Sequence, residues 1–264
     1  MKKGIFIWVG IFCGMLVLSF ILLPLFKLLT APSIESIKNA LMDKDVVKSI
    51  WLSIYTAGLA SIISFFVGTP FAYLLARKEF FGKRLLESIV DIPIVIPHPV
   101  VGIAILSVVG KNYWLGNILY QLGIRIMNSI TGIVTVLIFV GLPFYINTVK
   151  NGFEDISPRL ENISRSLGAS MTNTFFRITF PLAFKSIVTG FIICFARAIS
   201  EFGAVVIVAY HPMIAPVLIY ERFEGYGLAY SQPICFLLIA ICLILFLILR
   251  VLSIPRRKKF NKIW

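Results

Sequence analysis

Charged residues are scarce in this sequence, and their scarcity excludes an ordinary soluble domain. Asp, Glu, Lys and Arg account for 14% of the 264 residues, whereas hydrophobic residues account for 59%. A soluble globular domain is about half apolar and about a quarter charged. Together with a mean hydropathy of +0.94, this composition indicates a membrane protein.

The motifs of common catalytic and metal sites are also absent from the sequence. It contains no G-x-x-x-x-G-K-S/T phosphate loop, no H-E-x-x-H zinc motif and no G-x-S-x-G nucleophile motif. The 4 cysteines fall in apolar runs without C-x-x-C spacing, which is typical of core residues. The 2 histidines, His98 and His211, stand alone beside prolines, which disfavours a metal site. We therefore predict that the chain is not an enzyme and binds no cofactor or metal itself.

The net charge of +13 does not require a nucleic-acid partner. Most of the 25 lysines and arginines fall in segments that the arrangement below places in the cytoplasm, including the basic turn 77–84 and the tail after Leu252. This asymmetry follows the positive-inside rule. We interpret the charge as a determinant of topology, with both termini in the cytoplasm and no nucleic acid bound.

Six apolar runs are long enough to cross a bilayer, for which about 20 residues suffice. We predict an all-α polytopic membrane protein, with one transmembrane domain over residues 1–264, no internal repeat and no second domain. The first run exceeds the ~7–15 residues of a signal-peptide core, so we expect a retained helix. The predicted spans are 5–29, 49–76, 87–110, 130–149, 182–208 and 233–252.

Prolines interrupt the third predicted span. Pro93, Pro97 and Pro99 lie within seven residues, and a regular helix cannot continue through them. Non-helical backbone at membrane depth is tolerated only against protein or along a water-filled cavity. We therefore expect this segment to lie in the protein interior or beside a path for a solute.

The second span carries small and hydroxyl residues at helical spacing, namely Ser49, Ser53, Thr56 and Ala60. Two interpretations are open. Small residues allow helices to pack closely in lipid, and a hydroxyl stripe can equally form the polar wall of a path.

Two opposite charges lie inside the fifth predicted span. Arg197 and Glu201 are four residues apart, so we predict that they share one helical face. A charge at the bilayer centre costs about 2.5–3.5 kcal/mol, so such residues pair with each other or face a cavity. We hypothesise that Glu201, held by Arg197, helps form the narrow outer end of a translocation path. The predicted path and gate residues are Ser49, Ser53, Thr56, Arg197, Glu201 and Val205.

The longest polar segment, residues 153–181, separates the fourth and fifth spans and carries arginines that predict a cytoplasmic location. Pro158 is typical of a first helical turn, and Gly168 is typical of a helix end. Between them, Leu160, Ile163 and Leu167 recur at helical spacing and form one apolar stripe. A short amphipathic helix of this kind lies either on the lipid surface or in a groove of a partner protein.

The spacing of Gly168, nine further residues and then Ile178-Thr179-Phe180-Pro181 resembles the cytoplasmic EAA loop of ABC-type importer permeases. Asn162, Ile163 and Ser164 occupy the E-A-A positions and depart from that pattern. In that family the loop forms a coupling helix that docks on the ATPase subunit. The resemblance therefore implies a role in ATPase coupling for Leu160, Glu161, Asn162, Ser164, Arg165, Leu167, Gly168, Ala169 and Ser170.

Two more segments resemble one branch of the same family. Residues 92–102, IPIVIPHPVVG, are similar to the LPLVLPPTVVG segment of molybdate and sulfate permeases. Residues 197–204, RAISEFGA, resemble the ARALGEFGA signature of molybdate/tungstate permeases, with Ile199 and Ser200 departing from it. The resemblance implies a type I ABC importer permease fold with six transmembrane helices per chain. It also implies the membrane subunit of an ATP-driven importer of molybdate or tungstate that works by alternating access.

The resemblance implies partners as well. They are two ABC ATPase subunits that hold ATP and Mg²⁺, a second copy of the permease, an extracytoplasmic molybdate/tungstate-binding protein and the lipid of the cell membrane. Two alternatives are open. The cargo could be sulfate or another oxyanion, or the chain could be an ATPase-independent carrier or channel, which belongs to a different class.

Overall fold

The structure, a computed structural model, describes residues 2–252. The basic tail that we predict to be cytoplasmic lies outside these residues. The described part of the chain is helical, without strands, and its elements follow in this order: α1 (Lys2–Thr30), α2 (Ile34–Met42), α3 (Lys44–Arg77), α4 (Lys83–Val95), α5 (His98–Val109), α6 (Trp114–Gln121), α7 (Ile130–Glu154), α8 (Pro158–Ser166), α9 (Met171–Thr174), a π-helical turn (Phe175–Thr179), α10 (Phe180–Ile199), α11 (Val205–Val208), α12 (Ala215–Tyr226) and α13 (Leu228–Leu252).

The predicted all-α membrane fold is confirmed for the described residues. Five helices are long and apolar enough to cross a membrane, and the bent pair α4–α5 supplies a sixth span when it is counted as one. The first, second, fourth and sixth spans lie where the apolar runs predict them, and each helix extends a few residues further. The location of the termini relative to the membrane stays a prediction.

The third predicted span, 87–110, is a helix that is broken in the middle. It begins earlier, at Lys83, and bends by 115° between α4 and α5, at Ile96 and Pro97. Pro97 and Pro99 lack the backbone N–H that a continuous helix needs at these positions, which explains the break. The expectation that a regular helix cannot continue through the prolines is confirmed at Pro97, whereas α4 continues through Pro93 to Val95.

The prediction of a continuous fifth span over 182–208 is wrong at both ends. The helical segment starts at Met171, runs through the π-helical turn and ends at Ile199. After it, the Glu201 carboxylate accepts the backbone N–H of Ala204 at 2.9 Å, in place of a helical carbonyl. A side chain that competes for backbone N–H groups in this way ends a helix. Arg197 and Glu201 therefore do not share one helix, because Glu201 lies in the turn beyond it.

Helices α3, α7 and α10 form the centre of the bundle, and small residues let them approach closely. A Cβ atom at Gly68 of α3 would lie 2.7 Å from the ring of Tyr145 on α7. Without a hydrophobic force between helices in lipid, such close contacts are a main source of association. At the periphery, α1 packs against α13, and its side chains from Ile7 onward are exposed except that of the half-buried Leu28.

Gly152 provides a direct test of this packing. A Cβ atom at position 152 would overlap the side chain of Ser186 on α10, so we expect Gly152→Ala to lower the free energy of unfolding by about 1–3 kcal/mol. Gly58→Ala is the matched control, because a Cβ there meets nothing within 4 Å. Thermal unfolding of the detergent-purified protein should show a lower Tm for Gly152→Ala only. Equal Tm values for the two variants would contradict the close approach of α7 and α10.

Candidate functional sites at helix α8 and the helix breaks

The helix predicted in the polar segment is present as α8, from Pro158 to Ser166. Its end is set by Gly168, whose φ of 89° lies in the left-handed region. The amide of Gly168 also donates to the carbonyl of Arg165 at 3.0 Å, which closes the last turn. Glycine reaches this conformation without steric penalty, which explains why the helix stops where it does.

Hydrogen bonds of Glu161 connect α8 to the membrane spans. Its Oε1 accepts hydrogen bonds from Nε of Arg77 and from Oγ1 of Thr179, each at 2.9 Å. Its Oε2 accepts from the hydroxyl of Tyr73 at 3.1 Å. The Arg77 guanidinium also donates to the carbonyl of Ile156 at 3.0 Å. One buried carboxylate therefore ties α8 both to the end of α3 and to the segment that leads into α10.

The apolar stripe of α8 faces away from the spans. Leu160, Ile163 and Leu167 are 44%, 58% and 83% exposed, whereas Glu161 on the other side is 9% exposed. This arrangement is the reverse of an ordinary amphipathic helix, which buries its apolar side. Within the described residues the stripe has no covering element, so it is a surface suited to a lipid layer or to a groove of another protein.

The remaining predicted coupling residues surround this stripe. Ser164 and Ala169 are half-buried, and the Ser164 hydroxyl lies 3.0 Å from that of Thr174. Glu161 differs from the rest of the predicted set, because it points inward and anchors the helix. The exposed members of the set are Leu160, Asn162, Arg165, Leu167, Gly168 and Ser170.

Gly168 offers a test of the segment that does not touch the stripe. A proline at this position cannot adopt a φ of 89° and lacks the N–H that bonds Arg165, so Gly168→Pro should distort the exit from α8. Gly168→Asn is the matched control, because asparagine tolerates the left-handed region. The family resemblance implies that this segment docks on an ATPase subunit, so we expect co-purification with that subunit to fall at least tenfold for proline and little for asparagine. Equal loss with both residues would show that the backbone conformation is not what matters.

A second cluster lies where the two broken spans meet. The Arg197 Nη2 atom lies 2.8 Å from Oε2 of Glu201 and 2.7 Å from Nε2 of His98. The Nδ1 atom of His98 in turn lies 3.4 Å from Glu201 Oε2. The cluster thus joins the break before α5 to the break after α10, and the predicted Arg197–Glu201 pair is present in the structure.

The backbones of the two breaks are also in close contact. A Cβ atom at Gly102 of α5 would lie 2.8 Å from the carbonyl oxygen of Ala204 and 2.8 Å from Cβ of Ile207. A Cβ at Gly203 would lie 3.0 Å from Cβ of His98. The short helix α11 therefore packs on α5 only because both positions lack a side chain. Discontinuous helices that meet in this way form solute sites in many membrane transporters.

The hydroxyl stripe of α3 serves helix packing in the described structure. The hydroxyls of Ser49, Ser53 and Thr56 donate to carbonyl groups of their own helix at 2.9, 3.0 and 2.7 Å. The Ser53 oxygen also accepts the backbone N–H of Ala215, at the start of α12, at 2.8 Å. Val205 is fully buried in α11. Among the described residues no hydrogen bond joins Glu201 to the three hydroxyls, so their place in a path stays a prediction.

Sequence reasoning missed four partners of these clusters. Tyr73, Arg77 and Thr179 bind Glu161, and His98 binds Arg197, yet each contact spans a long separation in the chain. The only signal for Arg77 was its position at the end of an apolar run. For His98 it was the departure from the proline of the resembled LPLVLPPTVVG segment.

Comparison with known proteins gives one family and several relatives. The family model described as "Binding-protein-dependent transport system inner membrane component" matches residues 68–258. The chain is 42% identical over 239 residues to the molybdate/tungstate transport system permease protein WtpB of Pyrococcus furiosus, covering 90% of this chain and 91% of that protein. It is 33% identical over 232 residues to the probable sulfate transport system permease protein cysT of Chlorokybus atmophyticus, covering 85% and 81%.

A solved structure shares the architecture. A chain of a bacterial alginate ABC transporter, in complex with an alginate pentasaccharide-bound periplasmic protein, aligns with a TM-score of 0.79 over 96% of this chain and 95% of that chain. The sequence identity is 14%, so the likeness concerns the fold.

Proposed function

Because the chain belongs to the family of binding-protein-dependent transport system inner membrane components, we propose that it passes molybdate or tungstate across the cell membrane. The chain is a membrane subunit of an ABC importer with the type I permease fold. The observation that carries the choice of cargo is 42% identity over 90% of the chain to a molybdate/tungstate permease. The RAISEFGA segment, which holds Arg197 and Glu201, supports the same choice.

We assign the apolar stripe of α8 as the docking surface for the ATPase partner. Leu160, Ile163 and Leu167 are exposed in a segment that carries arginines, which suits a groove of a cytoplasmic protein. The sequence has no phosphate-binding loop of its own, so the hydrolysis of ATP with Mg²⁺ falls to two partner ATPase subunits. A second copy of the chain supplies the second docking helix.

The anchoring of α8 supplies a mechanism for alternating access. When the ATPase subunits close on ATP, the two docked helices move, and the Glu161 contacts carry this motion to α3 and to the segment before α10. Helix α10 ends at the opposite side in the cluster of Arg197, Glu201 and His98. A displacement of α10 therefore moves the helix breaks, where the path opens and closes. The binding protein delivers the oxyanion at the outer side.

Sulfate is the second candidate cargo, since the chain is 33% identical over 232 residues to a probable sulfate permease. Sulfate, molybdate and tungstate are all tetrahedral dianions. The binding protein that docks on the outer side therefore contributes much of the choice among them.

Reconstitution tests the proposal. The chain and its ATPase are placed in lipid vesicles with the binding protein outside, and uptake of molybdate, tungstate and sulfate is measured with and without ATP. We expect ATP-dependent uptake of molybdate and tungstate. Uptake of sulfate alone would support the importer mechanism and show that the cargo is sulfate. Uptake without the ATPase would overturn the importer mechanism and support a solitary carrier.

A further inference from the structure

The side-chain hydrogen bonds of Arg197 engage one of its three guanidinium nitrogens. All of them use Nη2, which faces Glu201 and His98. Within the described residues, Nε and Nη1 have no hydrogen-bond acceptor, and neither atom is among the buried polar groups that lack a partner. A guanidinium carries five N–H donors in a rigid fork, so several of them point away from the cluster.

Exposure increases from the carboxylate outward. The side chain of Glu201 is 1% exposed, that of Arg197 is 20% exposed and that of His98 is 42% exposed. The carboxylate is therefore less accessible than the guanidinium. A dianion that approaches from the exposed side reaches the positive charge of Arg197 before the negative charge of Glu201.

His98 restrains the guanidinium of Arg197. The Nη2 atom lies 2.7 Å from Nε2 and 3.1 Å from Nδ1 of the imidazole, and Nδ1 lies 3.4 Å from Oε2 of Glu201. With Nη2 held between the imidazole and the carboxylate, rotation of the guanidinium is restricted. The Nε and Nη1 donors then have defined directions, which a lone arginine on a flexible side chain lacks.

We propose that the Nη1 and Nε donors of Arg197 are binding contacts for a tetrahedral oxyanion, and that His98 is the positioning residue of this guanidinium. This inference rests on the proposed function and names the group of the chain that meets the cargo. A charged N–H donor forms a short and strong hydrogen bond with an oxyanion oxygen, as in arginine–phosphate pairs. The neighbouring Glu201 weakens the attraction, which suits a site that must also release its ion.

The test uses the purified permease–ATPase complex without the binding protein. Binding of radiolabelled tungstate is followed by equilibrium dialysis, with molybdate and sulfate as competitors and chloride as a control for ionic strength. We expect Arg197→Lys, which keeps the charge but has a single nitrogen to serve Glu201, His98 and the oxyanion, to weaken binding at least tenfold. Lys185→Gln, which removes a charge elsewhere on α10, should leave binding unchanged.

A conservative replacement distinguishes the positioning role of His98 from a purely structural one. His98→Gln keeps an acceptor for Nη2 and should bind tungstate within about twofold of the unmodified chain, by analogy with a preserved hydrogen bond. His98→Leu should weaken binding severalfold. Equal loss with glutamine and leucine, or unchanged affinity with Arg197→Lys, would overturn the proposal.

A measurement on the unmodified chain covers the case in which a variant does not fold. Phenylglyoxal modifies accessible guanidinium groups, and tungstate should slow its reaction at Arg197 but not at the exposed Arg84, as read by peptide mass. An equal reaction rate at Arg197 with and without tungstate would contradict the contact. The proposed function fails differently: the complex would bind tungstate at Arg197 yet show no ATP-dependent uptake.

Discussion

Replacing Glu161 with alanine is expected to separate the permease from its ATPase. The substitution leaves the buried Arg77 without its carboxylate, at a contact where the two side chains are 9% and 11% exposed. Removing one partner of a buried ion pair costs about 3–5 kcal/mol. Helix α8 should then detach from α3, and the stripe should lose its fixed position. Co-purification with the ATPase subunit should fall at least tenfold, and stimulation of ATP hydrolysis by the loaded binding protein should disappear.

Two variants control for this result. Glu161→Gln keeps an oxygen that can accept from Tyr73 or Thr179 but removes the charge, so its effect should be intermediate. Glu79→Ala removes a carboxylate two residues after Arg77, where it pairs with Lys83 at 2.6 Å and is 87% exposed. Exposed pairs contribute little, so this variant should assemble normally. Normal assembly of Glu161→Ala would show that the buried contacts do not hold α8.

Glu201→Gln is expected to have the second large effect, on both folding and transport. The change leaves the charge of Arg197 without its partner inside the membrane region, at a cost of about 2.5–3.5 kcal/mol on the insertion scale. It also weakens the acceptor that ends α10, because the Glu201 carboxylate binds the Ala204 amide at 2.9 Å. We expect a lower yield of folded complex and loss of ATP-dependent oxyanion uptake, measured in vesicles at equal amounts of inserted protein.

The double variant Arg197→Gln with Glu201→Gln separates the two effects. It carries no unpaired charge, so the yield of folded complex should recover toward that of the unmodified chain. Uptake should not recover, since the guanidinium that meets the oxyanion is gone. Normal uptake by the double variant would show that the ion pair serves stability alone.

The parts of the molecule that follow from local pattern could be predicted from the sequence. Runs of apolar residues predicted the spans, three nearby prolines predicted the break at Pro97, and helical spacing predicted the stripe of Leu160, Ile163 and Leu167. The end of α8 at Gly168 followed from glycine's conformational freedom. Each of these features depends on residues within a few turns of one another, where spacing alone carries the information.

The features that depend on distant residues could not be predicted. Spacing identified the apolar stripe of α8 but not which side of the helix faces the spans, because the acceptor Glu161 binds Arg77 from another helix. The fifth span was predicted to continue to Val208, since its hydropathy gives no sign that Glu201 would bind the amide of Ala204. His98 was assigned no role for the same reason: its partner Arg197 lies 99 residues away.

Cross-linking from α8 tests the central claim most directly. A photoreactive amino acid replaces Ile163, which is 58% exposed on the stripe, or Phe20, which is 78% exposed on α1 and serves as the control. After illumination of membranes that contain the ATPase, we expect a covalent permease–ATPase adduct from position 163 and none from position 20. The adduct should disappear when Glu161→Ala is added. Cross-links from position 163 to lipid alone would contradict the account and leave α8 as a helix on the membrane surface.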